Sequence, residues 1–182
     1  ALATLVDLAI QRGKYDEAEQ SLNQIATDSP LRGEAELKTG RALFHRYRQM
    51  AGKGESVQLL KLRERARRIL EDGTKRVPVG QISLNRAEAV LSLASLYLDV
   101  REPSQTIRLL ENEQDGSLTL VQKKHPLAGR EGFAEETYRT ALRAYTSALG
   151  EAKTAVATER LMRKVEQAMT AFESVMGDSA ES

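Results

Sequence analysis

Cysteine is absent from the 182 residues, which removes disulfides, thiolate nucleophiles and thiolate metal sites together. Tryptophan is absent too, and aromatic residues make up 4% of the chain. Packing must then rest on Leu, Ala, Ile, Val and Met, a set that suits close-packed helices better than a sheet. The two histidines, His45 and His125, belong to no His-x-x-x-His or His-Glu-x-x-His arrangement, so no metal site is expected. His45 reads as a solvated or groove-lining residue of a helix, and His125, followed by Pro126, as a loop cap. No Gly-x-Gly-x-x-Gly, Walker loop or Gly-x-Ser-x-Gly occurs, and carboxylate pairs such as Glu135-Glu136 are ordinary on a charged helix. The expectation is a chain that is not an enzyme and needs no cofactor. A membrane-spanning helix needs about 18 consecutive apolar residues, and no such run exists. The N-terminus lacks the basic-then-apolar order of a signal peptide. Because the chain starts without Met inside a helical pattern, it is expected to be a piece of a longer protein, and its compartment, cytoplasmic or extracytoplasmic, is left open.

What is present is helical. Hydrophobic residues at 41% and charged residues at 29% argue against disorder and for amphipathic helices with solvated outer faces. The length suits one domain with a continuous core. Residues 2–30 hold two such helices around a tight turn. Leu2, Leu5, Val6 and Ala9 share one face of the first; Ala18, Leu22 and Ile25 recur on the second. Gly13 ends one helix, Asp16 and Glu17 suit the positive first turn of the next, and Pro30 is expected to stop it. A lone hairpin cannot bury its apolar faces, so further copies are expected downstream.

Gly13, Tyr15, Ala18, Leu22, Ile25 and Pro30 resemble the second half of a tetratricopeptide repeat, in which a Gly-x-Tyr turn precedes a helix marked by small and bulky residues at fixed spacing. The first helix departs from that pattern, with Leu2, Val6 and Ala9 where Trp, Gly and Tyr are preferred. Ala66, Leu70, Gly73 and Pro78 repeat the spacing, with Gly40 and Leu43 in the matching first helix. Leu93, Ala94 and Tyr97, then Thr106 and Leu110, form a third unit whose turn has Arg101 and Pro103 in place of Gly and Tyr. Tyr138, Leu142 and Tyr145, followed by Ala168, Phe172 and Val175, form a fourth. The resemblance implies an all-α fold: a right-handed α-α superhelix of four antiparallel helical hairpins in a single domain over 1–182, with units at about 1–30, 33–78, 86–114 and 132–177.

The intervals between signature residues alternate. Val6 to Ala18 and Ala94 to Thr106 are each 12 residues, whereas Gly40 to Ala66 and Leu142 to Ala168 are each 26. The 14 added residues amount to about two extra turns per helix at 3.6 residues per turn. Either a short-long pair was duplicated in tandem or two loosely matched units coincide; we favour the first.

Charge is nearly balanced overall at +1 but unevenly placed. Residues 1–37 carry 3 basic and 7 acidic groups, and 38–76 carry 12 basic and 4 acidic. On the helix containing Lys61, Arg63, Arg65, Arg67 and Arg68, the apolar face is Leu59, Leu62, Ala66, Ile69 and Leu70, and the cations surround the rest. That distribution, without interleaved aromatics, makes nucleic-acid binding through 38–76 a lesser alternative.

The resemblance further implies a concave groove lined by the first helix of each unit, holding a peptide or a partner helix. Its groove positions fall on Ala3 and Asp7, on Lys38, Arg41 and His45, on Ser95 and Asp99, and on Arg139 and Arg143. Asp7 and Ser95 stand where the carboxylate-clamp subgroup has Asn, which disfavours a chaperone-tail receptor. Lys38, Arg41, Arg139 and Arg143 suit an acidic segment, Arg offering bidentate geometry to carboxylates. The function expected is therefore a non-catalytic interaction or assembly scaffold, the alternative being an accessory domain of a larger enzyme or envelope protein. Between units three and four, Leu118 to Val121 reads as a short extended or buried segment that either contacts a partner or docks Leu118 and Leu120 onto the stack. A last helix is expected from about Ala152 to Met176, ended by Gly177, its seam of Leu161, Val165, Ala168, Phe172 and Val175 capping the stack or pairing with a second copy.

Overall fold

The computed structural model describes all residues except 53, 55, 79, 81, 181 and 182, together with the side chains of 178–180. Lys53 and Glu55 of the basic region, and the final two residues of the expected C-terminal tail, lie outside that description. The described residues are all-helical, with no strand: α1 Leu2–Gln11, α2 Tyr15–Gln24, α3 Arg32–Ala51, α4 Val57–Arg76, α5 Leu84–Asp99, α6 Pro103–Leu110, α7 Ser117–Gln122, a 3-10 turn Pro126–Gly129, α8 Phe133–Glu151 and α9 Ala155–Ala180. No described helix is long and apolar enough to cross a membrane. The chain forms two compact units, Ala1–Leu96 and Tyr97–Ser182.

In the first unit α1 packs on α2 and α3 packs on α4, and α3 also meets α1 and α2. Val6, Ala18, Leu22, Leu37, Leu43, Ala66 and Leu70 are its fully buried apolar side chains at these contacts, each large one contributing about 1.5–3 kcal/mol by leaving water. Leu5, expected on the inner face of α1, is instead half exposed; Val6 and Ala9 define the buried stripe and Leu5 lies beside it.

Glycines let α3 and α4 approach closely. A Cβ on Gly40 would stand 2.6 Å from Leu70 Cγ, and one on Gly73 would stand 2.8 Å from Leu37 Cδ2 and 3.0 Å from the Leu37 backbone nitrogen. The long hairpin is thus closed by backbone proximity that side chains at those positions would prevent.

The α1–α2 turn ends in a left-handed cap. Gly13 has φ 69, and the amides of Gly13 and Lys14 donate to the carbonyls of Ile10 and Ala9, both at 2.9 Å, the paired bonds of a Schellman motif. The α5–α6 turn repeats it without glycine: Arg101 has φ 61, and Arg101 and Glu102 donate to Leu98 and Tyr97 at 3.0 and 2.9 Å. Lys124, at φ 52, closes α7 in the same way.

Pro30 does not stop α2, which ends at Gln24 with Ile25 already extended. The C-terminal carbonyls are taken instead by the first residue of the next helix: Arg32 donates to Leu22 O and Ile25 O, the latter at 2.8 Å, and to Glu36 Oε1 at 2.7 Å. Glu36 is buried and also pairs with Arg76 at 3.1 Å. At the end of α4 the buried Arg86 of α5 does the same, donating to Thr74 O at 3.0 Å and Val77 O at 2.6 Å. A cation on the carbonyl end of a helix offsets its partial negative charge.

In the second unit α8 packs on α6, α7 and α9. The 114–131 segment contains a short helix rather than an extended run, and its Leu118 and Leu120 are buried. His125 caps the 3-10 turn, its Nδ1 accepting from the Leu127 amide at 3.3 Å. Gly177 lies inside α9 rather than ending it.

Candidate functional site

Asp7, Lys38, Arg41 and His45, four of the expected groove residues, come together. With Ile10, Gln11 and Ala42 they line an open cleft of about 390 Å³ between α1 and α3. Lys38, Arg41 and His45 share one face because they stand three and four residues apart on a helix, and the α1–α3 packing puts Asp7 opposite them.

The cations of this cleft already have carboxylate partners. Lys38 Nζ donates to both oxygens of Asp7 at 3.0 Å, between exposed side chains. Arg41 forms an ion pair with Glu88 and donates to Asn85 Oδ1 at 2.8 Å. Asn85 in turn donates to Glu34 Oε2 at 2.6 Å. Arg41 is thereby fixed in place, while Lys38 stays on the open side. His45 lies against the Phe44 ring, centroids 5.8 Å apart. Its pKa is held below the usual histidine value, first by desolvation and then by the charge of Arg41.

The other expected groove residues lie elsewhere. Ser95 is 2% exposed and belongs to the buried face of α5. Arg139 and Arg143 are exposed on α8 in the second unit. Arg139 pairs with Glu135 and Glu136 of its own helix, and Arg143 pairs with Asp99 at 3.5 Å.

The acidic and basic stretches of the sequence answer each other inside the first unit. Arg65 of α4 pairs with Asp16 and Glu19 of α2 at 2.6 and 2.5 Å, and Arg68 reaches Glu19 at 3.8 Å. Arg67 pairs with Glu64 and Glu71 along α4 itself. Next to the α1–α2 turn, Tyr15, Leu43, Met50 and Leu62 with Arg46, Lys61 and Arg65 border a second open cleft, of about 540 Å³.

A polar cluster in the second unit escaped the sequence reading. Lys164 of α9 donates to both oxygens of Glu111, Tyr145 OH donates to Glu111 Oε1 at 2.5 Å, and the Lys164 ammonium lies 5.4 Å from the Tyr145 ring centroid. The three border a cleft of about 500 Å³ with Thr119, Gln122, Tyr138 and Gln167. Burial raises the Tyr145 phenol pKa, as do its bond to Glu111 and the charge there; burial also raises that of Tyr138. Lys164 stands four residues before Ala168 on the packed face of α9, and a cation at such a position calls for a partner. No group of three or more potential metal ligands occurs among the described residues.

Comparison with family models, with curated proteins and with solved structures finds no match.

Proposed function

We propose that this chain is a tetratricopeptide-like, non-catalytic interaction module that holds a polar peptide segment in the cleft between α1 and α3. The supporting observation is convergence: first helices of consecutive hairpins lie together, and Asp7, Lys38, Arg41 and His45 meet along one open cleft. Repeat scaffolds bind through such surfaces because each unit adds a similar helix face to the last. A right-handed stacking of the hairpins belongs to the same proposal. An acidic segment engages Lys38 by exchange with Asp7. That exchange costs little, since exposed ion pairs contribute roughly 0–1 kcal/mol. Arg41, tied to Glu88 and Asn85, shapes the floor.

The accessory-domain reading uses the same cleft within a longer chain. Nucleic-acid binding through 38–76 is disfavoured because Arg65 and Arg68 are turned onto Asp16 and Glu19, which lowers the local positive field. The test is titration with a Glu-rich peptide while the His45 imidazole is followed by NMR. Binding should move His45, weaken with salt, and be lost in Lys38→Glu. Undiminished binding by that variant, or shifts confined to the second unit, would remove the cleft from consideration.

A further inference from the structure

The outer side of α9 carries two superimposed seven-residue rhythms. Met162, Met169 and Met176 recur every seventh residue and are 49%, 47% and 42% exposed. With the half-buried Val165 and Phe172 between them, they form the a and d positions of a heptad seam, Met162-Val165-Met169-Phe172-Met176. One edge of this seam, at Leu161, Ala168 and Val175, lies on the packed side of the helix, where Ala168 is buried. The other edge is Glu159, Glu166 and Glu173, again every seventh residue and all exposed. Glu159 shares its charge with Arg163 one turn on, at 2.7 Å.

We propose that this Met-Glu ridge is the docking surface for an amphipathic helix of a partner protein, one whose apolar stripe is flanked by lysine or arginine. Three long, flexible thioethers in line adapt to varied apolar side chains, and charges beside a heptad seam decide which partner pairs with it. The acidic edge argues for a basic helix and against a second copy of this chain. Two antiparallel copies would bring the glutamate edges face to face. Two parallel copies would set each glutamate edge against the edge already committed to packing. The surface is separate from the α1–α3 cleft, so either proposal can fail without the other.

The test uses the full chain with ¹³C-methyl methionine, whose four methionines report on the ridge through Met162, Met169 and Met176 and on α3 through Met50. The probe is a three-heptad helical peptide with Leu at its a and d positions and Lys on both flanks; a Glu-flanked version is the control. The Lys peptide should shift the three α9 methyl signals and leave Met50 in place. Affinity should fall by about tenfold or more, ~1.4 kcal/mol for each factor of ten, in Glu166→Lys/Glu173→Lys and in Met169→Gln. It should be unchanged in Lys38→Glu. The proposal is overturned by equal binding of the Glu peptide, by no binding of either peptide, or by sedimentation showing self-association that Met169→Gln abolishes.

Discussion

The α3–α4 and α8–α9 hairpins have the same 26-residue interval between their signature residues, yet they spend it differently. Relative to the α1–α2 hairpin, α3–α4 extends each helix toward the turn by six residues and the turn by two. Relative to α5–α6, the α8–α9 hairpin adds four residues to its first helix and ten to its second, with the turn unchanged. The turn has therefore moved, and the faces that meet have moved with it. In α3–α4 the contact is drawn tight by Gly40 and Gly73. In α8–α9 a polar cluster spans the packing, Ala168 is the one buried apolar residue of α9 among the described residues, and the opposite side of α9 stays exposed. Equal spacing thus specifies which residues recur, and the position of the turn decides which of them are covered.

The comparison breaks first at the glycines. Gly40→Val places branched carbons where Leu70 already stands, with the Leu70 backbone nitrogen 3.1 Å from the first of them. Overpacking of this kind should cost about 3 kcal/mol. Leu142→Val, at the corresponding position of the second long hairpin, removes one carbon from a half-buried side chain and should cost less than about 1.5 kcal/mol. Urea midpoints followed by circular dichroism, at unchanged slope, distinguish the two. A Gly40→Val loss no larger than that of Leu142→Val would mean that close backbone approach at Gly40 does not hold α3 and α4 together.

A smaller effect is expected at the polar cluster. Lys164→Ala leaves the Glu111 carboxylate its bond from Tyr145 OH; because Lys164 and Glu111 are 22% and 30% exposed, the loss should be about 1–2 kcal/mol rather than the larger value of a fully buried pair. The Tyr145 pKa is raised on folding, so its contribution is complete below the ordinary phenol value of about 10 and is lost as pH rises beyond it. The melting temperature should therefore fall in alkali, and fall less steeply in Tyr145→Phe; an identical alkaline slope in both proteins would remove this group as the cause.

The helical class and the Gly13 cap were legible because they rest on periodicity and on a residue that favours φ > 0, whereas the even lengthening of both helices expected for the two long hairpins holds for α3–α4 and not for α8–α9. The early end of α2 was not legible, nor were the arginine bonds that close α2 and α4, because Arg32 and Arg86 act on carbonyls seven to twelve residues away, and no local pattern announces such reach. Leu118 to Val121 was too short a run for its period to be read. Of the groove residues, Asp7, Lys38, Arg41 and His45 converge because they lie on two helices that pack. Ser95 lies inward because on α5 more than one face is covered: Ala87, Val90, Leu91 and Ala94 are buried around the helix. Lys164 and Glu111 lie 53 residues apart, a pairing that only the fold creates.

The smallest expected effect sharpens the comparison between the units at a single backbone angle. Gly13 and Arg101 occupy the same place in their turns, two residues past the helix end, with φ 69 and 61 and the same pair of capping bonds. A Cβ at Gly13 would meet no atom within 4 Å, so the cost of a side chain there is conformational rather than steric crowding by neighbours. Left-handed geometry costs an L-residue roughly 1–2 kcal/mol, a strain that the second unit carries at Arg101 and the first avoids. Gly13→Ala should destabilise by about 1 kcal/mol and Arg101→Gly should stabilise, by somewhat less because glycine also gains freedom in the unfolded chain. If Arg101→Gly lowers the melting temperature instead, the arginine side chain supports its turn by more than the strain it imposes.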